Sequence, residues 1–285
     1  MTQLITQARA LIAGYDALIC DVWGVIHDGQ TAYEGAGDAL ARYRASGGTV
    51  LLLSNAPMPS SWVEKVLQEK RVRRDSWDAI VSSGDIALAH IKELGYTHVF
   101  HIGTERDLPL FETMTAAAAP FEDAQAIVCT GLEDDRNETA ETYRPLLERA
   151  LARRLPFVCA NPDLIVDVGG DLLPCAGVVA ELYERMGGDV YWAGKPHAPA
   201  YRLALTKLAE IRGGQPDPAR ILAIGDAVRT DIAGAGAAGL AALFIAQGIH
   251  RDEVLRNGVI DPAALARLLS GCPVKPVAAM VGIAW

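Results

Sequence analysis

The chain has 285 residues, of which 51% are hydrophobic and 21% charged, enough for a packed globular protein of one large or two modest domains. A formal charge of -9 argues against a nucleic-acid-binding surface, which demands clustered Lys and Arg. No run approaches the ~20 apolar residues of a membrane span, and no secretory leader is read at the N-terminus.

Short apolar strands alternate with helical patterns, the signature of an α/β protein with a mainly parallel sheet. The first strand is Ala17 to Cys20, ending at Asp21, with a polar turn from His27 to Thr31 and a helix through Gly37 to Tyr43. The second, Thr49 to Leu53, ends at Ser54-Asn55. A helix from about Ser60 to Glu69 then leads to a third strand, Ala79 to Ser82. The basic run Lys70 to Arg74 lies beside Glu64, Glu69 and Asp75 and reads as a solvated helix end.

A stretch of about a hundred residues follows with its own alternation. Its strands are Thr97 to Ile102, Ala124 to Cys129 and Pro156 to Cys159, and its strongest helical pattern runs from Glu138 to Leu151. Beyond it come a strand at Val190 to Ala193, a loop at Gly194-Lys195-Pro196 and a helix from Ala198 to Ile211. Strand Ile221 to Ile224 ends at Gly225-Asp226, and Leu240 to Ile245 is another. Apart from Asn161-Pro162-Asp163, every chemically suggestive segment lies outside 85–187. The reading is a doubly wound, Rossmann-like core of residues 1–84 and 188–285, with an inserted α/β cap at 85–187. The five cysteines occur singly, with no C-x-x-C pair, which fits a reducing compartment and a cytoplasmic protein.

In open α/β sheets ligands bind at the carboxyl ends of strands, near a topological switch point. Four such ends here carry complementary chemistry: Asp21, Ser54-Asn55, Lys195 and Asp226, with Asp231 five residues on. A carboxylate nucleophile can accept a phosphoryl group. Carboxylates can hold a hard cation, Mg²⁺ being suited to phosphate chemistry. A lysine and a hydroxyl or backbone donor can clamp the equatorial oxygens of the transferring group. Each residue also has a plainer reading: Asp21 and Ser54 as turn residues, Asp231 as a helix N-cap. Trp62, Trp77 and Trp192 read as structural.

Asp21-Val22-Trp23-Gly24-Val25, Ser54-Asn55, Gly194-Lys195-Pro196 and Gly225-Asp226-Ala227-Val228-Arg229-Thr230-Asp231 resemble the four ordered motifs of the haloacid dehalogenase superfamily. Their spacing, with Ala160-Asn161-Pro162-Asp163 and Pro174-Cys175-Ala176-Gly177, is similar to the class IIA branch, whose cap lies between the second and third motifs. The resemblance implies a phosphatase with Asp21 as nucleophile and metal ligand. Ser54, the Asn55 backbone and Lys195 would bind phosphate, and Asp226 and Asp231 would hold Mg²⁺. It also implies a small phosphorylated metabolite as substrate and dimerisation through the cap.

One position departs from the pattern. Phosphatases of this family usually carry a second Asp where this chain has Trp23, and an indole is no proton donor to a leaving oxygen, although the Trp23 carbonyl could still ligate Mg²⁺. A positioned acid–base group is worth about 10²–10⁴-fold in rate. Three readings stay open: replacement by a neighbour, with His27, Asp28 and His197 nearest in sequence; slow turnover of a phosphoenzyme; or binding of a phosphorylated ligand without catalysis. An aromatic residue in this slot also resembles the metal-free dehalogenases, which have no use for Asp226 and Asp231.

Overall fold

The protein is described by a computed structural model covering residues 2–285. Seven strands form the larger sheet, in the order Gln3–Leu4, Ala278–Met280, Ala241–Ile245, Ile221–Gly225, Ala17–Cys20, Thr49–Ser54, Ala79–Ser82, with every pairing parallel. The central strands Ala17–Cys20, Thr49–Ser54 and Ile221–Gly225 are buried at every position and apolar at nearly all, because both faces are covered. Leu18, Cys20, Val50, Leu52, Leu222 and Ile224 pack on one side with the helix Glu34–Ala45. Ala17, Ile19, Leu51, Leu53, Ile221 and Ala223 alternate onto the other, with the helix Ala198–Arg212.

From Ala17–Cys20 the chain steps outward one way, to Thr49–Ser54 and Ala79–Ser82. From Ile221–Gly225 it steps the other way. The switch point therefore lies between these two neighbours, whose register pairs Cys20 with Ile224 and with Leu52. Asp21, Ser54 and Asp226 consequently emerge together at one edge.

A second parallel sheet runs Val190–Trp192, Phe157–Cys159, Ala126–Cys129, His98–Ile102, Ala117–Ala118. One face carries Ile127, Phe157 and Cys159 against the helix Ala176–Arg185. Val99, Val128 and Val158 on the other join the core cluster through Ile86, Ala87 and Ile91 of the helix Ser83–Glu93. This corrects the expectation that the chain re-enters the core at 188: Val190–Trp192 hydrogen-bonds to Phe157–Cys159, so the smaller sheet extends past that boundary. A division at 187 would cut it.

Other differences are local. The helix expected from Glu138 is Arg144–Arg153, preceded by a tight turn over Ala140–Tyr143 that Thr139 caps. An antiparallel hairpin, Ile165–Val168 with Asp171–Pro174, was not anticipated. Neither were the edge strands Gln3–Leu4 and Ala278–Met280.

Candidate active site

Asp21, Asp226 and Asp231 each offer a carboxylate oxygen, and these lie within 4.8 Å of one another. Asp21 follows the strand Ala17–Cys20, and its N–H donates to the Ile224 carbonyl (2.8 Å). Asp226 follows Ile221–Gly225 and accepts from the Ile249 N–H (2.6 Å). Gly24, at φ +82°, and Gly248 both press on Asp226; a Cβ on either would overlap its carboxylate. Asp231 lies in the wide turn Val228–Ile232 and accepts from the Ala227 N–H (3.1 Å). Its side chain caps no helix, so the plainer N-cap reading does not hold.

Lys195 is the one ammonium within this cluster. Its Nζ donates to Asp21 Oδ1 (2.5 Å) and Asp231 Oδ1 (2.7 Å), and all four residues are at most 8% exposed. The Asn55 side chain positions it, accepting from the Lys195 N–H (2.8 Å) and donating to the Lys195 carbonyl (3.0 Å) and to Asp163 Oδ1 (2.9 Å). Ser54 Oγ accepts from the Ala56 N–H (3.1 Å), shaping the turn after its strand.

Three ionised carboxylates and one ammonium leave a net charge of -2 in a buried site, which is costly without a further cation. Burial, opposed by Lys195 and reinforced by Asp231, pushes Asp21 up to about 7. Burial and the charges of Asp21 and Asp231 push Asp226 well above the carboxylate range. For Lys195, burial acts downward but Asp21 and Asp231 outweigh it, holding the ammonium well above its ordinary value. All-oxygen donors and an excess of negative charge fit a hard divalent cation. The Trp23 carbonyl accepts no bond from any described backbone N–H.

The cluster opens into a cavity of about 410 Å³ between the larger sheet and the cap segments. Trp23 lines it, but its indole is committed elsewhere: Nε1–H donates to the Asp167 carbonyl (2.9 Å) on the hairpin Ile165–Val168. Arg251 pairs with the Asp167 carboxylate (2.8 Å), so one hairpin residue is held twice. Sequence reasoning missed this hairpin, although Gly169-Gly170 between alternating apolar residues is a hairpin signal. Trp62, read as structural, is 38% exposed and lines the cavity; Trp77 and Trp192 are buried as expected.

None of the three candidates to replace an acid at Trp23 stands ready to do so. His27 is buried, and its Nδ1 accepts from the Gly29 N–H (2.9 Å). Burial, then Lys70, pushes its pKa down to about 4, so it is neutral. Asp28 accepts from the Thr31 (2.7 Å) and Gln30 (2.9 Å) amides, which outweigh partial burial and hold it below the carboxylate range. His197 stacks on Trp192 (4.9 Å between ring centres) and is absent from the cavity wall.

The model of the haloacid dehalogenase-like hydrolases matches residues 18–116, and an HAD-hydrolase-like model matches 192–272. A solved structure of a haloacid dehalogenase-like hydrolase from Brucella suis is 41% identical, with a TM-score of 0.86 over 98% of this chain and all of that one. The D-glycerol 3-phosphate phosphatase of Mycobacterium tuberculosis is 28% identical over 89% of this chain and 70% of its own length. A glycerol phosphate phosphatase structure from that organism, solved in complex with magnesium and with calcium, is 26% identical with a TM-score of 0.62, over 84% of this chain and 68–70% of that one. NagD of E. coli is 20% identical over 95% of this chain and 97% of its own, with a TM-score of 0.68, a likeness of fold.

Proposed function

Since the chain belongs to the haloacid dehalogenase-like hydrolases, in their class IIA branch, we propose that it is a Mg²⁺-dependent phosphatase of small phosphorylated metabolites working through an aspartyl-phosphate on Asp21. The observation that carries this reading is the buried triad of Asp21, Asp226 and Asp231, with a single lysine between two of them. Mg²⁺ held by Asp21, Asp226, Asp231 and the Trp23 carbonyl would neutralise charge on the nucleophile and phosphate.

The chain's own residues supply the rest. Asp21 Oδ attacks phosphorus, the bond to the leaving oxygen breaks, and water then cleaves the acyl phosphate. Lys195, Ser54 and the backbone N–H of Asn55 bind the phosphate oxygens that gain charge. Asn55 fixes the Lys195 backbone from both sides, so the ammonium is aimed before substrate arrives. The cap segments over the cavity limit the substrate to a small ester. The dimer implied by the resemblance and the cytoplasmic location suggested by the unpaired cysteines belong to this reading too; sedimentation tests the first. No described helix is long and apolar enough to cross a membrane.

The deciding experiment is phosphate release from a panel of phosphomonoesters, with and without Mg²⁺, against Asp21→Asn. Release that needs both Mg²⁺ and Asp21 supports the proposal. Folded, Mg²⁺-loaded protein that releases nothing above Asp21→Asn refutes it and leaves a phosphometabolite-binding protein as the reading. Halide release in chelator would mark a dehalogenase.

A further inference from the structure

An alkoxide is a strong base and leaves phosphorus readily only if a nearby acid protonates it. The carboxylates lining the cavity beyond the triad are all engaged with partners of their own. Asp28 is held ionised by the Thr31 and Gln30 amides, and Asp167 is paired with Arg251. Asp135 is paired with Arg106 (2.9 Å), while Asp107 accepts from the hydroxyls of Thr130 (2.9 Å) and Thr104 (3.2 Å). Tyr33, pushed up to about 12 by burial, is too weak an acid. Asp163 is the one lining carboxylate outside the triad that burial pushes up, and its Oδ1 is taken by the Asn55 amide that braces the Lys195 loop.

The shape of the wall is an independent observation. Trp23, Tyr33, Met58, Trp62, Leu132 and Ile165 give the cavity a large apolar and aromatic lining beside the polar strand ends. The Trp23 ring is pinned by Asp167 and backed by Gly29, where a Cβ would overlap it. Trp62 is more than a third exposed and presents its ring to the cavity. Rigid aromatic surface of this kind suits a flat apolar body and offers little to a polyol.

Resting on the phosphatase reading above, we infer that the substrate class is an aryl phosphate, the phosphate ester of a phenolic or heteroaromatic hydroxyl, rather than the phosphate of an aliphatic alcohol. Such a leaving group needs no acid. Asp21 Oδ forms the new bond to phosphorus, and the bond to the aryl oxygen breaks with its electron pair staying on that oxygen. The aryloxide departs as an anion and takes its proton from solvent. Water then attacks the acyl phosphate, giving phosphate and a proton and restoring the Asp21 carboxylate.

The test is kcat/KM, with saturating Mg²⁺, for phenyl phosphates of graded phenol acidity, alongside glycerol 3-phosphate, dihydroxyacetone phosphate and acetyl phosphate. The expected result is a steep fall as the phenol becomes more basic, with the aliphatic esters at least about 10²-fold below 4-nitrophenyl phosphate. Trp62→Ala should raise KM for the phenyl phosphates roughly 3–10-fold more than for acetyl phosphate, which has no ring to stack. Equal rates for glycerol 3-phosphate and 4-nitrophenyl phosphate would overturn the inference and leave the phosphatase standing. So would a shallow leaving-group dependence that Asp163→Asn makes steep, since Asp163 would then be the acid. Failure of folded, Mg²⁺-loaded protein to cleave any ester would instead remove the phosphatase reading itself.

Discussion

Replacing Asp21 with Asn should raise the melting temperature of the metal-stripped protein while abolishing hydrolysis. The fold holds three carboxylates within 4.8 Å against one ammonium, and Asp21 answers by keeping its proton up to about pH 7, against 3.8 in an unfolded chain. Between those values the folded state binds a proton the unfolded state has released, so stability falls as pH rises, then stays level above about 7. At about 1.4 kcal/mol per pH unit the gap corresponds to roughly 4 kcal/mol. For a chain of this size that is on the order of 10 °C, a ceiling because water entering the cavity screens the charges. Asparagine keeps an acceptor for Lys195 and removes the charge.

The assay is thermal unfolding in EDTA from pH 4 to 8, read as variant minus wild type. Taking the difference cancels His27, whose depressed pKa works with the opposite sign between about 4 and 6.5. The difference should be near zero at pH 4, grow to pH 7 and level off. Mg²⁺ should stabilise wild type strongly at pH 8 and weakly at pH 5, and the variant little at either. A variant that melts at or below wild type at pH 8 in EDTA would refute the account of the cluster as an uncompensated charge.

Three further outcomes follow from the geometry. Gly248→Ala should cost at least about tenfold in Mg²⁺ affinity, measured by titration calorimetry, since the added methyl displaces the Asp226 carboxylate. His27 should stay neutral from pH 5 to 8 by NMR, its stabilising burial present above about pH 6.5 and lost only as pH falls toward 4; a protonation near 6.5 would contradict its burial and its bond from Gly29. Trp23→Phe should cost about 1 kcal/mol by removing the bond to Asp167, with faster amide exchange confined to 165–174; unchanged exchange there would show that Arg251 alone holds the hairpin.

Much of the site is legible in the sequence because a parallel sheet turns sequence position into place. An apolar run that ends in Asp21, Ser54 or Gly225-Asp226 announces a strand end, and a doubly wound order brings such ends together. What pairs across long separations is not legible. Val190–Trp192 is as apolar as any core strand, and nothing in its composition says which sheet it joins. Ala278–Met280 is a short Ala-Ala-Met run without β-branched residues, and pairs with Ala241–Ile245 only because that edge needs covering. Asp163 meets Asn55 across 108 positions, a contact that no local pattern encodes. Trp62 failed differently: helical spacing placed it on Ser60–Glu69, but only the cap over that helix makes its exposed ring a cavity wall.

Trp23 shows why the two kinds of information must be joined. From sequence it is a missing acid, a deficit with several remedies. In the fold the indole is engaged: its N–H is spent on Asp167, its ring meets His27 at 5.1 Å, and Gly29 is small enough to let it lie flat. A side chain held at three points is not free to swing aside for a distant acid, and on the aryl-phosphate proposal Trp23 shapes the substrate rather than marking a decayed position. If that holds, restoring a carboxylate through Trp23→Asp would not simply yield a better enzyme. It would supply an acid for aliphatic esters and at the same time release Asp167 and open the aromatic wall. Hydrolysis of glycerol 3-phosphate should then rise relative to 4-nitrophenyl phosphate while KM for aryl esters worsens. A variant that improves on both substrates alike would mean that the indole contributes nothing to binding.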